Sequence, residues 1–65
     1  MKNNVKILRA ALNLRQEDLA KMLSVSRQTI ISIENGRYSP SLELAMRIAR
    51  VFNKTVEEVF ILDSN

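Results

Sequence analysis

A short polar stretch in the middle of the chain carries the side chains best suited to recognising another molecule. Arg27, Gln28 and Thr29 are consecutive, and Ser32 follows one helical turn later. An arginine can donate two parallel hydrogen bonds to N7 and O6 of guanine, and a glutamine can bond N6 and N7 of adenine. These side chains therefore favour non-covalent readout of base edges. An ordinary solvated helix face would carry the same residue types, so the four residues alone leave both interpretations open.

The elements around this stretch predict how it is positioned. Leu19, Ala20 and Leu23 form the apolar stripe of one short helix, and Ile30 and Ile33 form that of the next. The residues between the two stripes leave room only for a sharp turn. The spacing predicts a helix-turn-helix over about residues 16–35, whose second helix lies in the major groove of DNA in proteins of this kind.

Four blocks of residues at matching spacing resemble the Cro/phage-repressor (XRE) helix-turn-helix family. They are Gln16–Ala20, Ser26–Ile30, Glu34–Gly36 and Pro40–Leu42. The resemblance covers about residues 4–60. It implies an all-α fold, a compact five-helix bundle of the phage-repressor DNA-binding type, in one domain over residues 1–65. It also implies a sequence-specific transcriptional regulator that binds double-stranded DNA, with a repressor on a palindromic operator as the leading interpretation.

The resemblance also implies roles for particular residues. Phosphate contacts position a protein on DNA, whereas contacts to base edges specify the sequence. In the family, positions matching Arg27, Gln28 and Ser32 read bases. The positions that contact the DNA backbone in the family match Gln16, Thr29, Asn35 and Arg37.

Further residues have expected roles that come from the family pattern, from a departure from it, or from the side chain itself. The pattern implies an ion pair between Arg9 and Glu34 that ties two helices together. Arg15 stands where the family has a Ser or Thr cap. Arginine is a poor helix cap, but it could reach a phosphate directly, with Asp18 completing half of a capping box. Tyr38 either offers a hydroxyl to the DNA backbone or packs under its loop.

The predicted helices begin and end at recognisable local signals, and no strand is predicted. Helix 1 spans about residues 4–12, with Val5, Leu8 and Leu12 inward. Ser26 caps helix 3, and Pro40 is expected at the first position of helix 4. Left-handed backbone is expected at Asn13, Ser24 and Gly36. A capping box of Thr55 and Glu58 is expected to start a fifth helix, which ends near Phe60–Ile61.

Composition excludes several classes of function. The chain has 65 residues without cysteine or histidine, so no disulfide and no structural zinc site is expected. The only glycine is Gly36, which rules out a glycine-rich phosphate loop, and no paired carboxylates suggest a catalytic centre. We therefore expect no enzyme, no cofactor and no metal. The absence of cysteine, of a signal peptide and of a membrane span fits a cytoplasmic protein.

The charge distribution is more informative than the net charge of +3. All ten basic residues lie at or before Lys54, together with only four of the acids, and the last eleven residues contain three acids and no base. The pattern is consistent with a basic surface that faces a polyanion and an acidic tail that faces away. An ordinary solvated surface fits the charges equally well.

Helix 4 is apolar over an arc of roughly 220°, which is wider than one core-facing stripe of about 100°. Leu42, Ala45, Ala49 and Phe52 are expected to supply the core of the domain. The residues left without an internal partner predict a homodimer interface, which would space two recognition helices by one DNA turn. They are Leu44, Val51, Ile61 and Leu62.

A second class of function uses the same fold. The chain could be an antitoxin or protein-interaction module that neutralises a partner protein, with Leu44, Val51 and Ile61 binding that partner instead of a second copy. Co-purification of a second polypeptide would distinguish this hypothesis from DNA binding as a homodimer.

Overall fold

Five helices form the domain, and a two-stranded sheet joins its ends. The structure is a computed structural model that describes residues 1–62. The expected five-helix bundle is confirmed, with the sheet as an addition. The elements in chain order are strand β1 (Lys2–Asn3), helices α1 (Val5–Ala11), α2 (Gln16–Leu23), α3 (Arg27–Glu34), α4 (Leu42–Val51) and α5 (Val56–Val59), and strand β2 (Phe60–Ile61).

One hydrophobic core connects the helices. Leu19 of α2, Ile30 and Ile33 of α3, and Ile48 of α4 are completely buried. Burying one such side chain fully stabilises the folded state by about 1.5–3 kcal/mol. The apolar stripes predicted for α2 and α3 are therefore confirmed. The other core residues are Val5, Ala20, Leu23, Ala45, Ala49, Phe52, Val59 and Phe60.

Two leucines that were expected in the core lie on the surface. Leu12 follows the last residue of α1 and is 52% exposed, and Leu42 is the first residue of α4 and is 73% exposed. Both continue the apolar spacing of their helix to its end, where no neighbouring element covers the side chain. The prediction that they face inward is wrong for this reason.

The prediction of a chain without strands is also wrong. β1 and β2 pair antiparallel, with Lys2 opposite Ile61 and Asn3 opposite Phe60. Phe60 has φ −113° and ψ 131°, which is extended backbone, so α5 ends at Val59 and does not reach Ile61. The amide of Asn4 continues the pairing with a 2.8 Å hydrogen bond to the carbonyl of Val59.

The start of α4 differs from the prediction by two residues. Ser41 is the N-cap, and its Oγ accepts a 3.2 Å hydrogen bond from the amide of Leu44. Pro40 therefore precedes the helix instead of occupying its first position. A serine hydroxyl satisfies a free first-turn amide, which proline cannot do, so the cap determines where the helix begins.

Most of the local signals have the expected geometry. Asn13, Ser24 and Gly36 have φ of 56°, 57° and 74°, so each helix before them ends with a left-handed residue. Asn53, which was not predicted to do so, ends α4 in the same way with φ 54°. The capping box of α5 is present, with Thr55 and Glu58 bonding each other's backbone amides.

Candidate nucleic-acid interface

The cap of α3 sets the direction of the predicted recognition helix. Ser26 Oγ accepts a hydrogen bond from the amide of Thr29 at 3.1 Å, and it lies 2.9 Å from Thr29 Oγ1. Behind the cap, the left-handed Ser24 turns the chain sharply, and the amide of Val25 closes the turn on the carbonyl of Ala20 at 3.0 Å. The predicted cap and turn are confirmed. The side chain of Thr29 is therefore engaged with the cap as well as available at the surface.

The predicted base-reading side chains lie along the outer face of α3. Arg27 and Gln28 are exposed, while Thr29 and Ser32 are half-buried. Gln28, Thr29 and Ser32 line one shallow depression of about 230 Å³ together with Tyr38. The outward face is thus mainly polar, with the half-buried Ile31 among these side chains, whereas the inward face of the same helix is the completely buried pair Ile30 and Ile33.

A second depression, of about 410 Å³, lies where the N-terminal ends of α2 and α3 meet. It brings Arg27 together with Arg15 and Gln16, which lie twelve and eleven residues earlier in the chain. Arg9 and Glu17 complete its lining. Arg9 is ion-paired with Glu34, and Arg15 with Glu17 and Asp18. Among residues 1–62, Arg27 is therefore the arginine of this lining that has no ion pair, and its cation suits a phosphate of the DNA backbone.

The carboxylate of Glu34 lies behind this depression and connects three helices. Its Oε2 is 2.7 Å from Nε of Arg9, and its Oε1 accepts a 3.1 Å hydrogen bond from Nε2 of Gln16. Arg9 also donates to the carbonyl of Leu14 at 2.8 Å. The side chains of Arg9 and Glu34 are only 14% and 4% exposed, so the pair is largely shielded from water. Gln16 reaches the surface with its amide already oriented by Glu34.

Arg15 begins α2 as an N-cap without a capping hydroxyl. The amide of Arg15 donates a 2.8 Å hydrogen bond to Asp18 Oδ2, which is the half capping box expected from the sequence. The Arg15 guanidinium contacts Asp18 at 3.2 Å and Glu17 at 3.2 Å. The hydrogen bonds from Arg15 lower the pKa of Asp18 below its usual value, and the same pairing raises the pKa of Arg15.

The loop after α3 folds back on the helix. The carbonyl of Ser32 accepts hydrogen bonds from the amides of Arg37 at 3.0 Å and Tyr38 at 3.3 Å. The side chain of Arg37 is exposed, and Tyr38 is 46% exposed beside Ser32, so Tyr38 combines partial packing with an accessible ring. Asn35 does not join this group. It lines a separate depression against the N-terminal residues 1–4.

Asn3 is a residue at this end of α3 that the sequence analysis missed. Its Nδ2 donates a 2.8 Å hydrogen bond to the carbonyl of Ile33, and its Oδ1 accepts from the amide of Val5 at 3.1 Å. From the sequence, an asparagine just before the first helix indicates only an ordinary N-cap. No local pattern could indicate that it contacts a helix thirty residues away.

The four residues predicted at a dimer interface divide into two pairs. Leu44 and Val51 are half-buried and pack against the core, so the expectation that they lack internal partners is wrong. Ile61 is 43% exposed in β2, and Leu62 is 82% exposed just after it. The most exposed apolar residues of α4 lie on its other flank, at Leu42 and Met46.

Residues 1–62 contain neither a metal-ligand group nor a membrane-spanning helix. No group of acidic side chains in this range is arranged to hold a metal ion. Within the same range, no helix combines the length and the apolar character needed to cross a membrane.

Comparison with known proteins agrees with this geometry. A helix-turn-helix family model (HTH_3) matches residues 5–59. The chain is similar to an uncharacterised HTH-type transcriptional regulator of Methanocaldococcus jannaschii, 57% identical over all of this chain and 98% of the relative. It is also similar to an HTH-type transcriptional regulator of Archaeoglobus fulgidus, 51% identical over 97% of this chain and 89% of the relative. A third relative is the HTH-type transcriptional regulator YgzD of Bacillus subtilis, 48% identical over 97% of this chain and 96% of the relative. The capped second helix of the helix-turn-helix, α3, presents a polar face. The chain belongs to the XRE/Cro-type helix-turn-helix family of DNA-binding, non-enzymatic transcriptional regulators.

Proposed function

We propose that the chain represses transcription by binding a palindromic operator as a homodimer, with α3 in the major groove. The main support is the two-sided character of α3. Arg27 and Gln28 are exposed on its first turn, while Ile30 and Ile33 anchor its opposite face completely in the core. A rigidly supported helix with bidentate donors at its N-terminal end is suited to reading base edges. In this proposal Arg27, Gln28 and Ser32 read bases.

The DNA backbone is contacted on both sides of α3 in this proposal. On one side Gln16 and Arg15 bind a phosphate at the depression that they line together with Arg27. Arg15 is already paired with two acids, but Arg15 and Glu17 are exposed and the Asp18 side chain is 32% exposed, and ion pairs this open to water are weak enough for a phosphate to compete. On the other side the remaining contacts come from Thr29 of α3 and from Asn35, Arg37 and Tyr38, which follow the helix.

The homodimer would bury the exposed apolar residues at the end of the described chain. Ile61 and Leu62 are the main contacts, and Leu44 and Val51 contribute the part of each side chain that the core leaves uncovered. Two-fold symmetry would place two copies of α3 one DNA turn apart, about 34 Å, which matches a palindromic site.

Selection of bound sequences from a random duplex pool tests this function directly. We expect a two-fold symmetric consensus with half-sites one helical turn apart. A consensus with a single half-site would contradict the dimeric operator model but not sequence-specific binding. Recovery of no consensus, with equal affinity for all duplexes, would contradict the proposed base readout.

A protein-interaction role, such as that of an antitoxin, is the second candidate. The observation in its favour is the exposed flank of α4, where Leu42 and Met46 line a largely apolar groove beside Arg47 and Arg50. Isolation of the tagged chain from its native host tests this role. A second polypeptide bound at a fixed stoichiometry, and released by Met46→Glu but not by Arg27→Ala, would favour it.

A further inference from the structure

The N-terminal segment packs against the part of the recognition unit that follows α3. Gly36 has φ 74°, and a Cβ on it would lie 3.1 Å from the carbonyl oxygen of Met1. The depression next to it is lined by residues 1–4 and Ile61 on one side and by Glu34, Asn35 and Gly36 on the other. The N-terminal segment with β1 therefore packs against the loop that carries two of the proposed phosphate contacts, Asn35 and Arg37.

Asn3 is the residue that links β1 to the end of α3 by a hydrogen bond. The carbonyl of Ile33 accepts from Asn3 Nδ2 at 2.8 Å and from the amide of Gly36 at 2.9 Å, so the side chain of Asn3 and the loop are bonded to the same oxygen. At its other end Asn3 accepts from the amide of Val5, and its backbone pairs with Phe60. Asn3 thus joins the end of α3 to α1 and to the sheet.

We propose that Asn3 is a positioning residue for DNA binding. It does not touch DNA. It holds the last turn of α3 and the following loop in the orientation in which Asn35 and Arg37 meet phosphates. The inference rests on the proposed function, because it acts through the backbone contacts assigned there.

The neighbouring asparagine provides a matched control. Asn4 Nδ2 also donates to a helix carbonyl, that of Glu58 at 3.1 Å, but α5 carries none of the proposed DNA contacts. Asn3→Ala and Asn4→Ala therefore each remove a carboxamide that links the N-terminal segment to a helix carbonyl. Only the first of these links reaches the recognition helix.

The test measures duplex affinity as a function of salt, at a temperature where circular dichroism shows each variant to be folded. Asn3→Ala should weaken binding to every sequence about tenfold and reduce the salt slope by about 1, because the Arg37 contact is lost. Asn4→Ala should lower the thermal midpoint yet bind DNA within about twofold of wild type. In an Arg37→Ala background, Asn3→Ala should cause a smaller further loss of affinity, through Asn35, and no further change in the salt slope.

Two results would overturn the proposal. The first is wild-type affinity and salt slope for folded Asn3→Ala. The second is an equal loss of affinity in Asn3→Ala and Asn4→Ala, which would show a purely structural role. If Asn3→Ala does not fold, Asn3→Asp replaces it in the same test. This variant keeps the acceptor for Val5 but loses the donor to the carbonyl of Ile33, and it is compared with Asn4→Asp, which carries the same added charge. Failure of the wild type itself to bind duplex DNA would instead refute the proposed function.

Discussion

At the scale of single residues, Glu34 is the point where three helices meet through polar contacts. Its carboxylate bonds Arg9 of α1 and Gln16 of α2 while belonging to α3. A largely shielded pair of this kind contributes little net energy when intact, but removing one partner leaves an uncompensated charge. The ion pair therefore matters most for keeping the recognition helix in one orientation.

Glu34→Ala should destabilise the domain strongly. It leaves the largely shielded guanidinium of Arg9 without its carboxylate, and the cost of about 3–5 kcal/mol known for fully buried pairs is an upper bound, because Arg9 stays 14% exposed and keeps its bond to Leu14. Chemical denaturation followed by circular dichroism measures this cost. Glu43→Ala, which changes an exposed acid of α4, should alter stability by less than about 0.5 kcal/mol. Similar losses for the two variants would contradict this assignment of Glu34.

Arg27→Ala should cost about 1–3 kcal/mol on the selected DNA site and relax the preference at one position in each half-site. The reason is that an exposed arginine on the first turn of α3 can form a bidentate pair with guanine. Repeating the sequence selection with the variant measures both effects. An equal loss on specific and random duplexes would make Arg27 a phosphate contact.

Arg37→Ala should weaken binding to all sequences alike and lower the salt slope by about 1, because one phosphate contact by a cation is removed. Titrations of a fluorescent duplex at several salt concentrations measure the slope. Gln16→Ala should weaken binding without that change, since glutamine carries no charge. Arg47→Ala removes the same charge from α4 and should leave affinity unaffected. An unchanged slope for Arg37→Ala would remove it from the contacts.

At the scale of the elements, the short helices depend on caps that work in different ways. Ser26 and Ser41 use hydroxyl groups, Thr55 and Glu58 form a complete box, and Arg15 relies on Asp18 alone. α5 has only the four residues Val56–Val59, so its box determines whether a helix forms there at all. Because two of the caps use carboxylates, they bring a dependence on pH.

Acidification should destabilise the protein in part through these caps. Hydrogen bonds from Arg15 lower the pKa of Asp18 from 3.8, and bonds from Thr55 lower the pKa of Glu58 from 4.5. A lowered folded-state pKa stabilises the native state above the ordinary value and loses this effect as the pH falls through the folded-state value. The thermal midpoint of the wild type should therefore fall more steeply below about pH 4.5 than that of Asp18→Asn/Glu58→Gln. Parallel curves of thermal midpoint against pH for the wild type and the double variant would contradict this account.

At the scale of the whole molecule, the sheet brings the two ends of the described chain together next to α3. The pairing of Lys2 with Ile61 closes the bundle, and it leaves Ile61 and Leu62 exposed at one place on the surface. The same pairing places Asn3 where it reaches the carbonyl of Ile33. One small sheet thus contributes to both the proposed dimer surface and the support of the recognition unit.

Ile61→Glu should convert the proposed dimer into a folded monomer, because a charge would be buried against its symmetry mate at a cost of several kcal/mol. The fold should tolerate the change, since residue 61 is 43% exposed and faces Lys2 across the sheet. Sedimentation at micromolar concentration gives the mass, and operator affinity should fall steeply. Ile7→Glu, at a 69% exposed position on α1, is the matched control and should stay dimeric. A monomeric wild type that binds one half-site tightly would refute the dimer.

The sequence by itself determined the parts of this protein that depend on neighbours in the chain. A serine before a helix, a Thr/Glu pair three residues apart and a glycine after a helix act over one turn, so Ser26, Thr55/Glu58 and Gly36 could be assigned without a structure. The apolar stripes of α2 and α3 could also be predicted, because both helices are flanked by other elements along the whole stripe. The resemblance to the family came from four blocks of residues at matching spacing, Gln16–Ala20, Ser26–Ile30, Glu34–Gly36 and Pro40–Leu42.

Only the tertiary structure decided the features that join distant segments. Two-residue strands are too short to show a period of alternation, so nothing local predicts that Asn3 pairs with Phe60. Periodicity places a residue on an apolar stripe but does not show whether another element covers it. Leu42 was therefore misplaced in the core, and Leu44 was expected to be free although it packs against that core. The bond from Gln16 to Glu34 likewise exists only because the packing of the helices brings α2 and α3 to hydrogen-bonding distance.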